Sequence, residues 1–158
     1  MFNYLFNPEI SNKWELITTG DEVCYGTIVG SFPLTKSGNI KSIKLVHHSG
    51  SLSCNSNSYV GTYWGCSGYY EKDEILTLIT DNQDNPIFPN VVPAGGTGYK
   101  LPGYDTDSME IIINAPNNQT YYGKKGDIMK VYYVEDLISW HNKNNGGPHC
   151  INIFILYD

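Results

Sequence analysis

Cys150-Ile151-Asn152-Ile153-Phe154-Ile155-Leu156-Tyr157, the run CINIFILY at the end of the chain, sets apolar residues at a period of two. That alternation marks a pleated strand, because successive side chains point to opposite faces. The same period runs through residues 14–18, 23–29 and 40–46, ILTLIT at 75–80, MEIIIN at 109–114 and IMKVYYV at 128–134. In the 40–46 segment Ile43 and Leu45 share a face, with Lys41 and Lys44 partly offset. Turn formers separate the runs at Ser49-Gly50 and at residues 82–86, 93–98, 114–118 and 144–148. Short strands at this spacing predict an all-β fold with little helix: an antiparallel, jelly-roll-like β-sandwich of at least seven strands. One stretch competes. Residues 134–142 (VEDLISWHN) carry apolar residues at helical spacing and can form a single helical turn, with Glu135 and Asp136 near its positive end.

The 158 residues suit one domain, and neither repeats nor linkers divide them. Only 16% of residues are charged, against about 25% in typical soluble proteins. Tyr, Gly, Asn and Ser fill the gap, and these residues favour strands, turns and adaptable polar contacts. The net charge of −6 argues against nucleic acid as a partner. No apolar run is long enough to insert into a membrane.

The first nine residues lack the basic start and apolar stretch of a signal peptide. The chain is thus expected to be cytosolic, or secreted after loss of a leader. Four cysteines, Cys24, Cys54, Cys66 and Cys150, form no C-x-x-C pair, so a zinc ribbon is poorly supported. Four cysteines allow three pairings; the turn-rich segment between Cys54 and Cys66 favours that pair, leaving Cys24 with Cys150. The competing reading is four buried thiols in a cytosolic protein. The single sequon, Asn118-Gln119-Thr120, also fits a secreted, extracellular chain.

The densest polar constellation lies between the last two strands: Glu135 and Asp136, then Trp140, His141 and Asn142, then Asn144 and Asn145. Carboxylates and amide carbonyls suit calcium, which takes oxygen ligands, although the spacing is not that of an EF-hand. A second acidic pair, Asp105 and Asp107, follows Tyr104 and is expected to complete a cation shell, to line the ligand site beside Tyr104, or to serve as turn chemistry. Asp81 to Asn85 reads as a plain hairpin loop. Sugars present hydroxyl edges and one apolar face, so a sugar site pairs polar side chains with an aromatic platform. Trp140 suits that role, with Tyr63 and Trp64 as alternatives. The expected sugar ligands are Glu135, Asp136, Trp140, His141, Asn145 and Tyr104. The expected metal ligands are Glu135, Asp136, Asn144, Asn145, Asp105 and Asp107. Catalytic signatures are missing: no G-x-S-x-G, P-loop or H-E-x-x-H occurs. Neighbouring carboxylates on an extended segment face apart, which suits a glycosidase poorly. Adjacent His47 and His48 face apart for the same reason.

Several of these runs fall in a recognisable order: Ile75 to Thr80, Ile87-Phe88-Pro89, Tyr99-Lys100-Leu101-Pro102-Gly103-Tyr104, Met109-Glu110-Ile111-Ile112, Val131 to Leu137, and Asn144-Asn145-Gly146 before Cys150. This pattern, over the last half of the chain, resembles the calcium-dependent galactose-binding lectins of sea anemones and related cnidarian extracellular domains. The resemblance implies a non-enzymatic lectin for galactose-type sugars, with calcium coordinating vicinal hydroxyls and Glu135, Asp136, Asn144 and Asn145 as ligands. Two positions depart from it. Val134 stands where the pattern has Gly, and Asn144 where it has Asp, so calcium is expected to bind weakly or not at all. Since linked weak sites gain avidity, a homodimer is expected. The alternative is an extracellular structural or adhesion module that binds protein and has no sugar site.

Overall fold

The structure, a computed structural model, describes residues 13–54, 61–66, 70–90, 98–138 and 145–158. Its strands are β1 (Glu15–Leu16), β2 (Val23–Tyr25), β3 (Gly30–Pro33), β4 (Gly38–Gly50), β5 (Glu74–Ile75), β6 (Thr77–Thr80), β7 (Pro86–Phe88), β8 (Tyr99–Lys100), β9 (Glu110–Asn114), β10 (Tyr121–Gly123), β11 (Ile128–Tyr133) and β12 (His149–Tyr157). A short helix, α1 (Val134–Ile138), follows β11.

Two antiparallel sheets face each other as a sandwich. In the larger, β12 pairs with β4 along its whole length; β1 and β2 share the outer edge of β12, and β9 and β10 share that of β4. The smaller sheet runs β3-β11-β6-β7, and β5 pairs with β8 as a separate ribbon. The period-two pattern explains the packing. Register places Ile155 beside Ile43 and Ile43 beside Ile113; the next inward row is Ile153, Leu45 and Ile111. The smaller sheet answers with Val131, Ile79 and Phe88 side by side. All nine are buried and belong to one core. On the outer face Phe154 is half-buried, and the Lys44 ammonium lies 4.8 Å from its ring and 4.8 Å from that of Trp14.

The expected strands form, with adjustments. The 23–29 run divides because Gly26 sits at φ +120° and turns the chain. That positive φ favours glycine, and a Cβ there would also crowd the end of the Leu52 side chain at 2.6 Å. The 75–80 run divides at Leu76, whose amide bonds the Trp64 carbonyl at 2.7 Å. Both expected disulfides are present, Cys24–Cys150 across neighbouring strands and Cys54–Cys66 closing a loop.

Strand β11 sets out the functional geography. Its final residues run into α1, near the Trp64 segment and the approach to β12. Its first residues lie beside β3 and the β6–β7 hairpin, at the opposite end of the sandwich.

Candidate functional site

The segment after β11 leaves the sheet as helix: the Val134 amide bonds the Leu76 carbonyl at 2.7 Å, and α1 begins there. Helical geometry separates successive side chains by about 100°. An extended strand would have turned Glu135 and Asp136 to opposite faces; here both remain at the same end of the sandwich. Glu135 Oε1 accepts from the Tyr70 hydroxyl at 3.0 Å, and Asp136 Oδ1 accepts from Asn145 Nδ2 at 3.1 Å. Asn145 is fixed through its neighbour. Gly146 exchanges both backbone hydrogen bonds with Ser53, at 3.1 and 2.7 Å, and Cys54 next to it is tied to Cys66. The disulfide, the Ser53–Gly146 bridge and the Asn145 amide thus form a continuous support beneath Asp136.

The electrostatics of this end are unbalanced. Burial pushes the Asp136 carboxyl up to about 6, the Asn145 bond lowers it, and the charge of Glu135 raises it further. Neither carboxylate has a Lys, Arg or His partner within ion-pair distance among the described residues. Asn145 Oδ1 is buried without a donor, and the buried Tyr133 hydroxyl is without a partner, among the described residues. Burial raises the Tyr133 phenol, and the charges of Glu135 and Asp136 act on it in the same direction. Buried polar atoms without partners are few in native proteins and each asks for an explanation. Among the described residues, an unpaired acceptor and an unpaired hydroxyl accompany two carboxylates without a cationic partner.

The other expected residues divide. Asp105 and Asp107 form a closed turn: Asp105 Oδ1 accepts from the Asp107 amide at 2.9 Å, and Lys72 Nζ lies 3.6 Å from Asp105 and 3.9 Å from Asp107. The Asp107 amide, Lys72 and Ser108 outweigh burial and hold the Asp105 carboxyl below its ordinary value. No three His, Cys, Asp or Glu side chains converge among the described residues, so this pair and Glu135–Asp136 do not form one carboxylate set. Tyr104 is half-buried against the core. Trp140, His141, Asn142 and Asn144 lie outside the described residues. Trp64, an alternative platform, is completely buried, with Nε1 donating to the Ser108 carbonyl at 2.6 Å; it is a core residue.

Tyr70 and Tyr133 had no signal in the motif reading. Tyr133 shares parity with Met129 and Val131 on β11, so strand periodicity places it inside, but nothing local shows that its hydroxyl lacks a partner. A buried polar chain was also hidden. His47 Nδ1 lies 2.9 Å from His149 Nε2, His149 Nδ1 lies 3.2 Å from the Tyr25 hydroxyl, and that hydroxyl lies 2.7 Å from Thr77 Oγ1. Tyr63 stacks on His47 at 3.8 Å, and Trp64 meets the His149 ring edge-on. His48 turns away towards Glu22, at 3.8 Å, so the two adjacent histidines do face apart.

The fold is a lectin-like antiparallel sandwich. It matches the solved structure of AJLec from the sea anemone Anthopleura japonica with a TM-score of 0.81 at 25% identity, over 93% of this chain and 98% of that chain. The likeness therefore extends well beyond the C-terminal half that carries the sequence resemblance. No protein-family model and no curated protein matches the chain.

Proposed function

We propose that this protein is a lectin that binds galactose-type sugars at the end of the sandwich formed by Glu135, Asp136 and Asn145. The observation that carries the reading is the pairing of two carboxylates, lacking a cationic partner among the described residues, with the orphaned Asn145 oxygen. Sugar hydroxyls donate, and the half-buried Glu135 and Asp136 carboxylates accept. The likeness to AJLec supports a lectin-like, carbohydrate-binding role. Two disulfides fit an oxidising, extracellular setting.

The donors fit a hard cation. Glu135, Asp136 and Asn145 would hold calcium, and the remaining ligands would be backbone oxygens or solvent, since calcium takes six to eight oxygens. A bound calcium ion would supply positive charge that attracts two vicinal hydroxyls. The side chains would fix the position of that charge. The protein acts by binding, not by catalysis.

The test is a glycan array in calcium and in chelator, on wild type and Asp136→Ala. Charge-assisted hydrogen bonds contribute roughly 1.5–3 kcal/mol each, so losing two should weaken binding about a hundredfold or more. An array blank in calcium would leave the fold as a scaffold for protein contacts and end the lectin reading.

A further inference from the structure

The opposite end of the sandwich holds a groove of about 340 Å³. That lies within the size range of small-molecule sites, roughly 300–1,000 Å³. Its floor is apolar, made by the buried Leu34 and Met129. One wall carries Tyr121 and the exposed Ile128; the rim carries Asp81, Asn82, Gln83 and Asp127.

The walls are held in place by the fold. Tyr121 lies on β10, and its ring meets Phe88 edge-on at 6.1 Å and 82°, which fixes its plane. Its hydroxyl has no hydrogen-bond partner among the described residues. Burial raises the Tyr121 phenol, and the charges of Asp81 and Asp127 add to the rise, so both carboxylates act on this ring. Asp81 is clamped by the Gln83 amide at 2.8 Å and by Asn85 through its amide at 2.9 Å and its side chain at 2.8 Å. Burial opposes ionisation there, but these three donors outweigh it and hold the carboxyl below its ordinary value. Asp127 uses Oδ2 to accept from the Lys124 amide at 2.9 Å, and its other oxygen has no partner among the described residues. The exposed Asn82 and Gln83 side chains are likewise unpartnered among the described residues.

From this arrangement we infer that the groove is a second saccharide site, specific for neutral sugars. An apolar floor and a ring of fixed plane suit the C–H face of a pyranose. Carboxylate oxygens accept its hydroxyls, and the Asn82 and Gln83 amides both donate and accept. The two carboxylates disfavour phosphorylated, sulfated or sialylated ligands, since like charges repel across a partly desolvated surface. The assignment of a sugar rests on the lectin reading above; the groove itself does not.

The position gives the inference its consequence. Ile128 lines this groove and Tyr133 lies beside the Glu135–Asp136 site, at the two ends of a six-residue strand. Five steps at ~3.3 Å place them roughly 17 Å apart. One copy would therefore hold two glycans at opposite ends and link them without oligomerising, which raises avidity by effective concentration.

The experiment is ¹⁵N-resolved titration with galactose, N-acetylgalactosamine, glucose, mannose and, as an amine control, spermidine, in calcium, on wild type, Asp136→Ala, Tyr121→Ala and Tyr121→Phe. The expected result is a site surviving in Asp136→Ala, with shifts at the Gln83, Asn85 and Asp127 amides. Tyr121→Ala should weaken that site about tenfold, while Tyr121→Phe, which keeps the ring, weakens it less. Binding of one sugar per chain, abolished by Asp136→Ala without shifts in the groove, would overturn this inference and leave the lectin reading standing. Groove shifts with spermidine but with no sugar would make it an amine site and overturn the inference as well. Sugar binding lost in Tyr121→Ala but intact in Asp136→Ala would support the groove and remove the Glu135–Asp136 proposal instead.

Discussion

Asp136 is a half-buried carboxylate beside Glu135, with a pKa raised to about 6 from an ordinary 3.8. A raised folded-state pKa means that the native protein holds the proton more tightly than the unfolded chain. Stability from this group is therefore full below about pH 4 and declines as pH rises through 6. At neutral pH the ionised side chain costs about 1–3 kcal/mol, the lower figure allowing for screening by solvent. Asp136→Asn should thus stabilise the metal-free protein by that amount at pH 7.5, and the gain should vanish below pH 4. Urea unfolding in chelator at both pH values checks this; equal stability of the two proteins throughout would mean that Asp136 is well solvated. The same substitution should weaken sugar binding, so stability and function pull against each other at one atom. Glu135, Asp136 and Asn145 were legible because they stand together in a polar loop. Tyr70 was not, since it reaches Glu135 across 65 positions of sequence, and such contacts leave no local pattern.

Elements were legible in proportion to how much apolar surface they bring. Runs such as 109–114 and 150–157 bury several residues each and announce themselves. Strands β3, β7 and β10 were missed because each is three or four residues long and is held by its neighbour's register rather than by its own pattern. β7 buries only Phe88 fully, between Pro86 and Pro89, with Ile87 packed half-buried against the core. The two disulfides act on different elements and should separate experimentally. Cys24–Cys150 spans 126 positions and pins β2 to β12; Cys54–Cys66 spans 12 and supports the Ser53–Gly146 bridge. Chain entropy puts the stabilisation at about 5 kcal/mol for the first and about 3 kcal/mol for the second. Replacing Cys24 and Cys150 by Ser should lower the melting temperature more. Replacing Cys54 and Cys66 by Ser should lower sugar affinity more, because Asn145 loses its support. Melting curves paired with sugar titrations decide it, and parallel losses in both pairs would show that the bridge does not position Asn145.

For the whole molecule the informative variable is acid, because two buried groups titrate with opposite sign. His149 is fully buried, and its pKa falls to about 3 from 6.5, chiefly by burial and further by the charge of His47. A depressed folded-state pKa contributes stability that is present above 6.5 and lost as pH falls towards 3. His47 is shifted in the same direction, by burial first and then by His48, and adds to that loss. Asp136 works the other way: acidification from about pH 6 to pH 4 favours the native state. Each contributes a slope of at most about 1.4 kcal/mol per pH unit where its folded and unfolded forms differ in protonation, and solvent screening reduces that of half-buried Asp136. Between pH 6 and 4 the Asp136 slope opposes that of His149 and offsets part of it. Below pH 4 the Asp136 contribution is exhausted, while Asp81, Asp84 and Asp105, all held below their ordinary values, join His149 in destabilising the fold. The wild type should therefore show a shallow stability profile from pH 6 to 4 and a steeper fall beneath it. Asp136→Asn removes the opposing slope and should fall continuously from pH 6.5. His149→Gln keeps a polar partner for Tyr25 without titrating, and although less stable at neutrality it should gain stability on acidification from pH 6 to 4. Urea midpoints in chelator at half-unit pH intervals distinguish the three profiles. Parallel curves for wild type and His149→Gln would show that the imidazole is not held neutral by the sandwich, and that the His47–His149–Tyr25 chain is open to solvent.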